Sequence, residues 1–247
     1  MIRRSCPSAS PLRLSNRTLS CVKRRQKAAS STLLAAVEAA TNDVGLKLRG
    51  CCRLQAEDGL GTGTLILIGN VGPEMWRAYR REMPRHSRNP LDSWSRDTIN
   101  GLADAFQARS VFPFDGPPWW PFQRWARRAE AVYPSPLGAL IHPRYGTWHA
   151  YRGALVLHDT VLPYASPAGD SPCSRCTGKP CLQTCPVEAI TEANYDVAAC
   201  RRHVRSVVNN DCLGLGCRAR RACPVGRDYT YSEDQAAHHM RYFADAI

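Results

Sequence analysis

The feature that most constrains this chain is a crowding of cysteine towards its C-terminal end. Eight of its twelve cysteines fall within 51 consecutive positions of a 247-residue sequence. One block reads Cys173-x2-Cys176-x4-Cys181-x3-Cys185-Pro186. Cys200 follows, and then a second block, Cys212-x4-Cys217-x5-Cys223-Pro224. Cysteine is nevertheless only about 5% of the chain, below the level of a small disulfide scaffold. The spacing therefore decides what the thiols are for.

Thiolates at these intervals suit iron–sulfur clusters. A short C-x2-C loop lets successive sulfurs converge on one cubane. The fourth cysteine, before the proline, falls on the far side of a helical turn, and in two-cluster ferredoxins it serves the other cluster. The proline stops the helix and removes an amide that would need a partner. Crossed pairing then assigns Cys173, Cys176, Cys181 and Cys223 to one [4Fe–4S] cluster. It assigns Cys185, Cys200, Cys212 and Cys217 to a second. The middle spacing of the first block is x4 where the bacterial pattern has x2. The second block is looser, so one cluster with a degenerate second site is the fallback. Zinc is the alternative metal, although zinc ribbons use two well-separated C-x2-C pairs. Arg201, Arg202, Arg205, Arg218, Arg220 and Arg221 crowd the second block. They either raise the potential of an anionic cluster or form a solvated basic face. Cys6 and Cys21 have no ligand-like spacing. Cys51 and Cys52 are adjacent in an expected strand, point to opposite faces, and read as buried structural thiols.

The formal net charge of +12 is uneven. Residues 1–37 hold eight Lys/Arg and no acid. The rest of the chain is mildly basic, which argues against a dedicated nucleic-acid binder. Residues 1–30 read as a basic, disordered tail, with a transit-peptide-like segment as the other reading. No apolar run is long enough to cross a membrane.

Downstream, Ser31 or Thr32 is a candidate cap for a helix through Leu33, Leu34, Val37 and Ala40. Strands are expected over 46–54, 64–68 and 108–112, the second buried on both faces. Helices are expected over 75–81, after Pro73, and over 91–106. The alternation suggests an α/β layer over 31–165. The glycines of 59–63 read as a flexible turn rather than a phosphate cradle, because the strand follows them. From Val111 to Tyr151 the chain is dense in proline and tryptophan, with one short helix near 122–131. That surface either lines a flat cofactor pocket or packs as core.

The run from Leu137 to Trp148, with Ile141-His142-Pro143-Arg144-Tyr145-Gly146-Thr147-Trp148 at its end, resembles the segment preceding the clusters in epoxyqueuosine reductases. The stretch Val197-Ala198-Ala199-Cys200 and the cysteine blocks also resemble theirs. The C-terminal Cys223-Pro224-Val225-Gly226-Arg227-Asp228-Tyr229 and Ala237-His238-His239-Met240 resemble bacterial ferredoxin-type 4Fe–4S proteins. The resemblance implies a nitroreductase-like α/β domain able to hold cobalamin, joined to a ferredoxin-like module with two [4Fe–4S] clusters. The loop 135–139 departs from the reductases by lacking their lysine, and their C-terminal tRNA-binding repeat domain has no counterpart. The resemblance also implies an acid near the start of the aromatic stretch. Asp115 is the candidate, as a general acid, beside an equally local role in a turn before Gly116-Pro117. His142 and His149 are candidates to face a cofactor.

The expected fold class is therefore α+β, an N-terminal nitroreductase-like α/β layer followed by a C-terminal dicluster ferredoxin-like module over 166–247 that ends in a helix. The expected function is single-electron transfer with a redox partner protein, in the reducing cytoplasm. The alternative is a cobalamin-dependent reductase in which the clusters feed a site in the α/β domain. A cluster that is purely structural is a further possibility.

Overall fold

A computed structural model of the chain describes residues 16–82, 89–158, 169–206 and 211–245, with side chains from Ser30 onward. Helix α1 (Asn16–Asp43) begins a turn and more before the expected cap at Ser31 or Thr32. The Ser/Ala-rich stretch before Leu33 continues the helix, so neither residue is its N-terminus. Residues 1–15 of the expected tail, with Cys6, lie outside the described residues. Leu34, Val37 and Thr41 are the buried stripe of α1, at i, i+3 and i+7.

The sheet has four strands: β1 (Lys47–Arg53), β2 (Thr64–Val71), β3 (Arg109–Val111) and, later in the chain, β6 (His149–Leu157). Their order is β1-β2-β6-β3, and every neighbouring pair is antiparallel. The alternation of helices and strands thus does not produce parallel crossovers. Helices α2 (Glu74–Glu82) and α3 (Pro90–Ala105) join α1 on one face. Helix α4 (Phe122–Ala129) covers the other. This two-sided cover explains why all eight residues of β2 are buried. It also separates the adjacent thiols: Cys51 packs among α1–α3, and Cys52 lies on the α4 side. The short strands β4 (Tyr133–Pro134) and β5 (Leu140–Ile141) pair beside the sheet.

Two bulges set the polar interior. The β1–β2 register shifts between Leu48 and Gly50, leaving Arg49 as the extra residue. The β2–β6 register shifts at Ile68/Gly69, leaving Arg152 as the extra residue. A bulge re-aims the side chain it frees. Arg152 reaches Asp92 at 2.6 Å and Ser95 at 2.9 Å, fastening α3. Arg49, 4% exposed, donates to the Asn70 carbonyl and meets Glu130 at 3.0 Å. Tyr151 donates to the same carboxylate, and Asn70 donates to the Tyr231 hydroxyl. Burial raises the Glu130 pKa, against the pull of Arg49 and the Tyr151 hydrogen bond.

The cysteine-rich part is built from short pieces: α5 (Pro180–Gln183), α6 (Val197–Ser206), α7 (Asp211–Leu215) and α8 (Arg218–Arg221). Helix α9 (Glu233–Asp245) packs on α6 and α7 through Met240, Phe243 and Ala244. It also returns to the layer, where Asp234 accepts from the Trp76 indole at 2.6 Å and His238 packs at a tilt against that ring. The expected boundary near residue 165 lies outside the described residues. Among the described residues, no helix is long and apolar enough to cross a membrane.

Breaking a buried ion pair from one side costs about 3–5 kcal/mol, because the other charge is left alone. Glu130→Ala should therefore lower the unfolding free energy by about that amount. The double variant Arg49→Met, Glu130→Leu should recover much of the loss, as read by urea denaturation.

Candidate metal centre

Cys173, Cys176, Cys181 and Cys223 line one cavity, and Cys185, Cys200, Cys212 and Cys217 lie within electrostatic reach of one another. Cys173 sits in a 3-10 turn (Pro172–Arg175) whose preceding Ser171 accepts a hydrogen bond from the Cys173 amide at 3.2 Å. Cys181 lies in the first turn of α5, after Lys179 has taken a left-handed conformation. Cys223 comes from beyond α8. Cys173, Cys176, Cys181 and Cys223 line one small cavity with Pro136, Ile141, Pro172, Pro180, Pro224 and Val225. Burial raises the Cys173 and Cys181 thiol pKa values, and the facing sulfurs, Cys223 first, raise them further. Neighbouring thiols in an apolar hole thus oppose ionisation at Cys173 and Cys181. A cationic centre between them reverses that opposition.

The second group is Cys185, Cys200 on α6, Cys212 on α7 and Cys217 at the start of α8. Cys200 is raised by burial and then feels Cys185 and Cys212. Cys217 is raised by burial and feels Cys200 and Cys185, while the amides of Arg220 and Ala219 act in the lowering direction. The Tyr195 hydroxyl donates to Cys200 Sγ at 3.4 Å, and the Ala189 amide to Cys185 Sγ at 3.3 Å. Helix geometry supplies these donors: Cys217 precedes the first turn of α8, where amides have no helical acceptor. All ten described cysteines are thiols rather than disulfides. Among the described residues, no three His, Cys, Asp or Glu side chains converge as ligands of a single ion.

The module is joined to the layer by a crossing of two glycines. Gly146 closes a tight loop in which His142 and Gly146 exchange backbone hydrogen bonds of 2.8 and 2.9 Å. A Cβ on Gly146 would lie 2.0 Å from the Val225 carbonyl oxygen. A Cβ on Gly226 would lie 2.2 Å from the Tyr145 carbonyl carbon. Both have positive φ, 58° and 76°. This contact places Pro224 and Val225, and so Cys223, against the loop that ends β5.

The arginines of the second block are exposed or half-buried, and several also hold neighbouring groups of the fold. Arg218 and Arg221 both pair with Asp211 at 2.7 Å. Arg205 donates to the Ala244 carbonyl at the end of α9, and Arg201 lies over Phe243. Arg220 lies against the rings of Trp148 and Tyr231, 4.5 Å from each centroid.

Asp115 lies in the turn after β3, paired with Arg96 at 2.5 Å, and does not line the cavity of Cys173, Cys176, Cys181 and Cys223. Of the aromatic stretch, Trp125 and Trp148 are buried packing, whereas Trp119 is 63% exposed. His142 accepts from the amides of Arg144 and Tyr145 and stacks on the Tyr145 ring. Burial, then Arg49, lowers the His142 pKa to about 4. The same order of causes lowers His149 to about 2. The glycines of 59–63 form a turn, with positive φ at Gly59, Gly61 and Gly63. The sequence reading passed over the Arg49–Glu130–Tyr151 cluster. Its one signal is an arginine inside an otherwise apolar strand.

The architecture is a mixed α+β fold carrying two thiol quartets. It matches solved epoxyqueuosine reductases. One crystal structure of a selenomethionine-labelled epoxyqueuosine reductase superposes with a TM-score of 0.53 at 14% identity, covering 84% of this chain and 69% of that one. An epoxyqueuosine reductase with an epoxyqueuosine-modified tRNA-Tyr stem loop gives 0.52 at 15% identity, covering 82% and 68%. These likenesses establish the shared fold. No protein-family model matches the chain, and no curated protein matches it by sequence.

Two outcomes follow. Gly226→Ala should destabilise by at least the 1–3 kcal/mol of a strained backbone, about 1 kcal/mol or more beyond Gly61→Ala. Gly61 has φ +81° but open space around its Cβ position; thermal melts compare the two. His142 and His149 take up protons on unfolding, below their ordinary 6.5. Stability should therefore fall as pH drops from about 6.5 towards 4, and urea midpoints across that range check it.

Proposed function

We propose that this chain is an iron–sulfur oxidoreductase on the fold of epoxyqueuosine reductases, with two [4Fe–4S] clusters feeding electrons to a reaction site on the α/β layer. One observation carries this reading: eight thiols partition into two facing quartets, in a chain that superposes on reductase structures over 84% of its length. Cys173, Cys176, Cys181 and Cys223 would hold the first cluster. Cys185, Cys200, Cys212 and Cys217 would hold the second. The donor sets fit, being all-thiolate and four to a site. When bound, the clusters accept and release single electrons.

The chain's own residues prepare these sites differently. Prolines, Ile141 and Val225 give the first quartet apolar walls. Lys179 stands beside it, paired with Glu192 at 2.6 Å. The second quartet receives more hydrogen bonds, from Tyr195, Ala189 and the first amides of α8. Hydrogen bonds to the sulfurs favour the added electron, so the second site is the more easily reduced. A redox partner protein supplies the electrons.

A corrinoid on the layer is the reading that the reductase resemblance adds. The two broad cavities of the layer, about 540 and 610 Å³, are bordered by charged groups: Lys47, Arg49, Glu74 and Arg77 in one, Asp43, Glu82 and Asp97 in the other. The first is mainly polar and does not suit the apolar faces of a corrin ring, whereas the second also presents Ala40, Val44, Trp94 and Leu102.

Anaerobic purification with iron and sulfide analysis and EPR after dithionite reduction tests the proposal. About eight irons per chain are expected, with signals of two interacting clusters. Cys185→Ser should remove the second cluster and spare the first, and Cys223→Ser the reverse. Zinc in place of iron would overturn the reading. Appearance of a base-off cobalt signal on adding cobalamin would establish the corrinoid, and its absence would assign the electrons to a partner or a directly bound substrate.

A further inference from the structure

The loop 135–139, between β4 and β5, reaches towards both thiol quartets. Its Pro136 is part of the wall of the first quartet's cavity. Two residues on, Gly138 faces the ring of Tyr195, whose hydroxyl bonds a thiol of the second. The loop is closed from within. The Ser135 hydroxyl and amide donate to the Ala139 carbonyl at 2.6 and 3.2 Å, and the Gly138 amide donates to the Ser135 carbonyl at 3.1 Å. Gly138 has φ +71°, and a Cβ there would lie 3.3 Å from Tyr195 Cδ1. Glycine alone adopts that backbone without strain, and it lets the loop close directly over the ring.

Tyr195 is held as firmly on its own side. It ends a tight turn that follows Cys185, and its backbone pairs with Ile190 in a single antiparallel bridge. Within that turn the Thr191 amide donates to the Asn194 carbonyl at 2.8 Å, and the Asp196 amide to the Ala189 carbonyl at 2.7 Å. Helix α6 begins two residues later, so the Tyr195 hydroxyl meets Cys200 Sγ near the start of that helix, at 3.4 Å. The ring also borders a cavity of about 290 Å³ between the layer and the module, shared with Thr147, Cys217 and Arg220. Tyr195 therefore stands at the junction rather than inside the module.

The donors to the second quartet differ in kind. Those from Ala189, Ala219 and Arg220 are amides, set by the path of the chain. The Tyr195 donor is a side-chain hydroxyl, which can be removed without touching the backbone. It favours the thiolate of Cys200 against the burial that opposes it. A hydrogen bond to a cluster sulfur strengthens when an electron is added, so each such donor raises the potential.

We propose that Tyr195 sets the potential of the second cluster through its hydroxyl bond to Cys200, and that the loop 135–139 of the layer positions it through Gly138. The inference rests on the second quartet holding a [4Fe–4S] cluster.

The test is a potentiometric titration of the full chain, purified anaerobically and followed by EPR, with iron measured on the same samples. The second cluster's signal is the one that Cys185→Ser removes. Tyr195→Phe should disfavour reduction of that cluster about tenfold, which is about 59 mV for one electron. The first cluster should keep its potential. Phenylalanine retains the ring, so a role in packing alone predicts no shift. Gly138→Ala should push the ring aside and move the same potential in the same direction, by less. In the double variant Tyr195→Phe, Gly138→Ala, the loop substitution should add nothing to the loss of the hydroxyl. An unmoved second-cluster potential in Tyr195→Phe, with about eight irons per chain, would overturn this inference alone. So would equal shifts of both clusters, or additive shifts in the double variant. Zinc in place of iron in the parent would overturn the proposed function and this inference together.

Discussion

The close passage of two backbones at Gly146 and Gly226 is the contact on which the arrangement of this molecule depends. Neither position has room for a Cβ, and both need a left-handed backbone. One glycine ends the loop that leads into β6, and the other follows Cys223-Pro224. Their contact therefore fixes the module to the sheet without any side chain between them. The first thiol quartet inherits its geometry from it, because its fourth sulfur comes from the strand of chain that makes the crossing. Side-chain interactions then build outward: Arg144 donates to the Tyr229 hydroxyl, and Tyr145 packs edge-on against the Tyr229 ring.

A second principle is the use of bulges to bring arginine into an apolar sheet. Arg49 and Arg152 are both extra residues in their ladders. One ties β1 to Glu130 after α4, and the other ties β6 to α3. Each charge is paired, so the cost of burying it is offset by geometry that only one register supplies. Arg220 follows a different logic. Its rings and a backbone carbonyl hold it in place, and it makes no ion pair among the described residues. That contrast separates an arginine that fastens the fold from one that leaves charge available.

Much of this was readable from residues alone. Helix periodicity identified the buried side of α1 through Leu34 and Val37, and the aliphatic run 64–68 identified the central strand. The adjacency of Cys51 and Cys52 implied opposite faces, and they have them. Cysteine spacing points to two sets of four thiols, because short loops and helical turns restrict which sulfurs can face one another, and one of those sets lines a single cavity. What escaped was set by distant contacts. Strand direction depends on how the chain crosses the sheet, which an alternating pattern of elements does not encode. The start of α1 at Asn16 was missed because a cap-forming residue such as Ser31 fits equally well inside a continuing helix. The cavity beside Thr147 and Arg220 likewise joins residues as far apart in the chain as Leu137 and His239.

The placement of Cys223 has a consequence for how the protein is made. Three members of its quartet leave the ribosome together, and the fourth follows only after α6, α7 and α8 have been synthesised. The other quartet lies almost wholly within that interval, beginning at Cys185 and ending at Cys217. Neither group can close on the first cysteine block alone, and the glycine crossing that positions Cys223 forms later still. Up to that moment the nascent chain presents open thiols. Protection from oxidation and from adventitious metal must then come from the timing of synthesis and from the surrounding cell rather than from the fold.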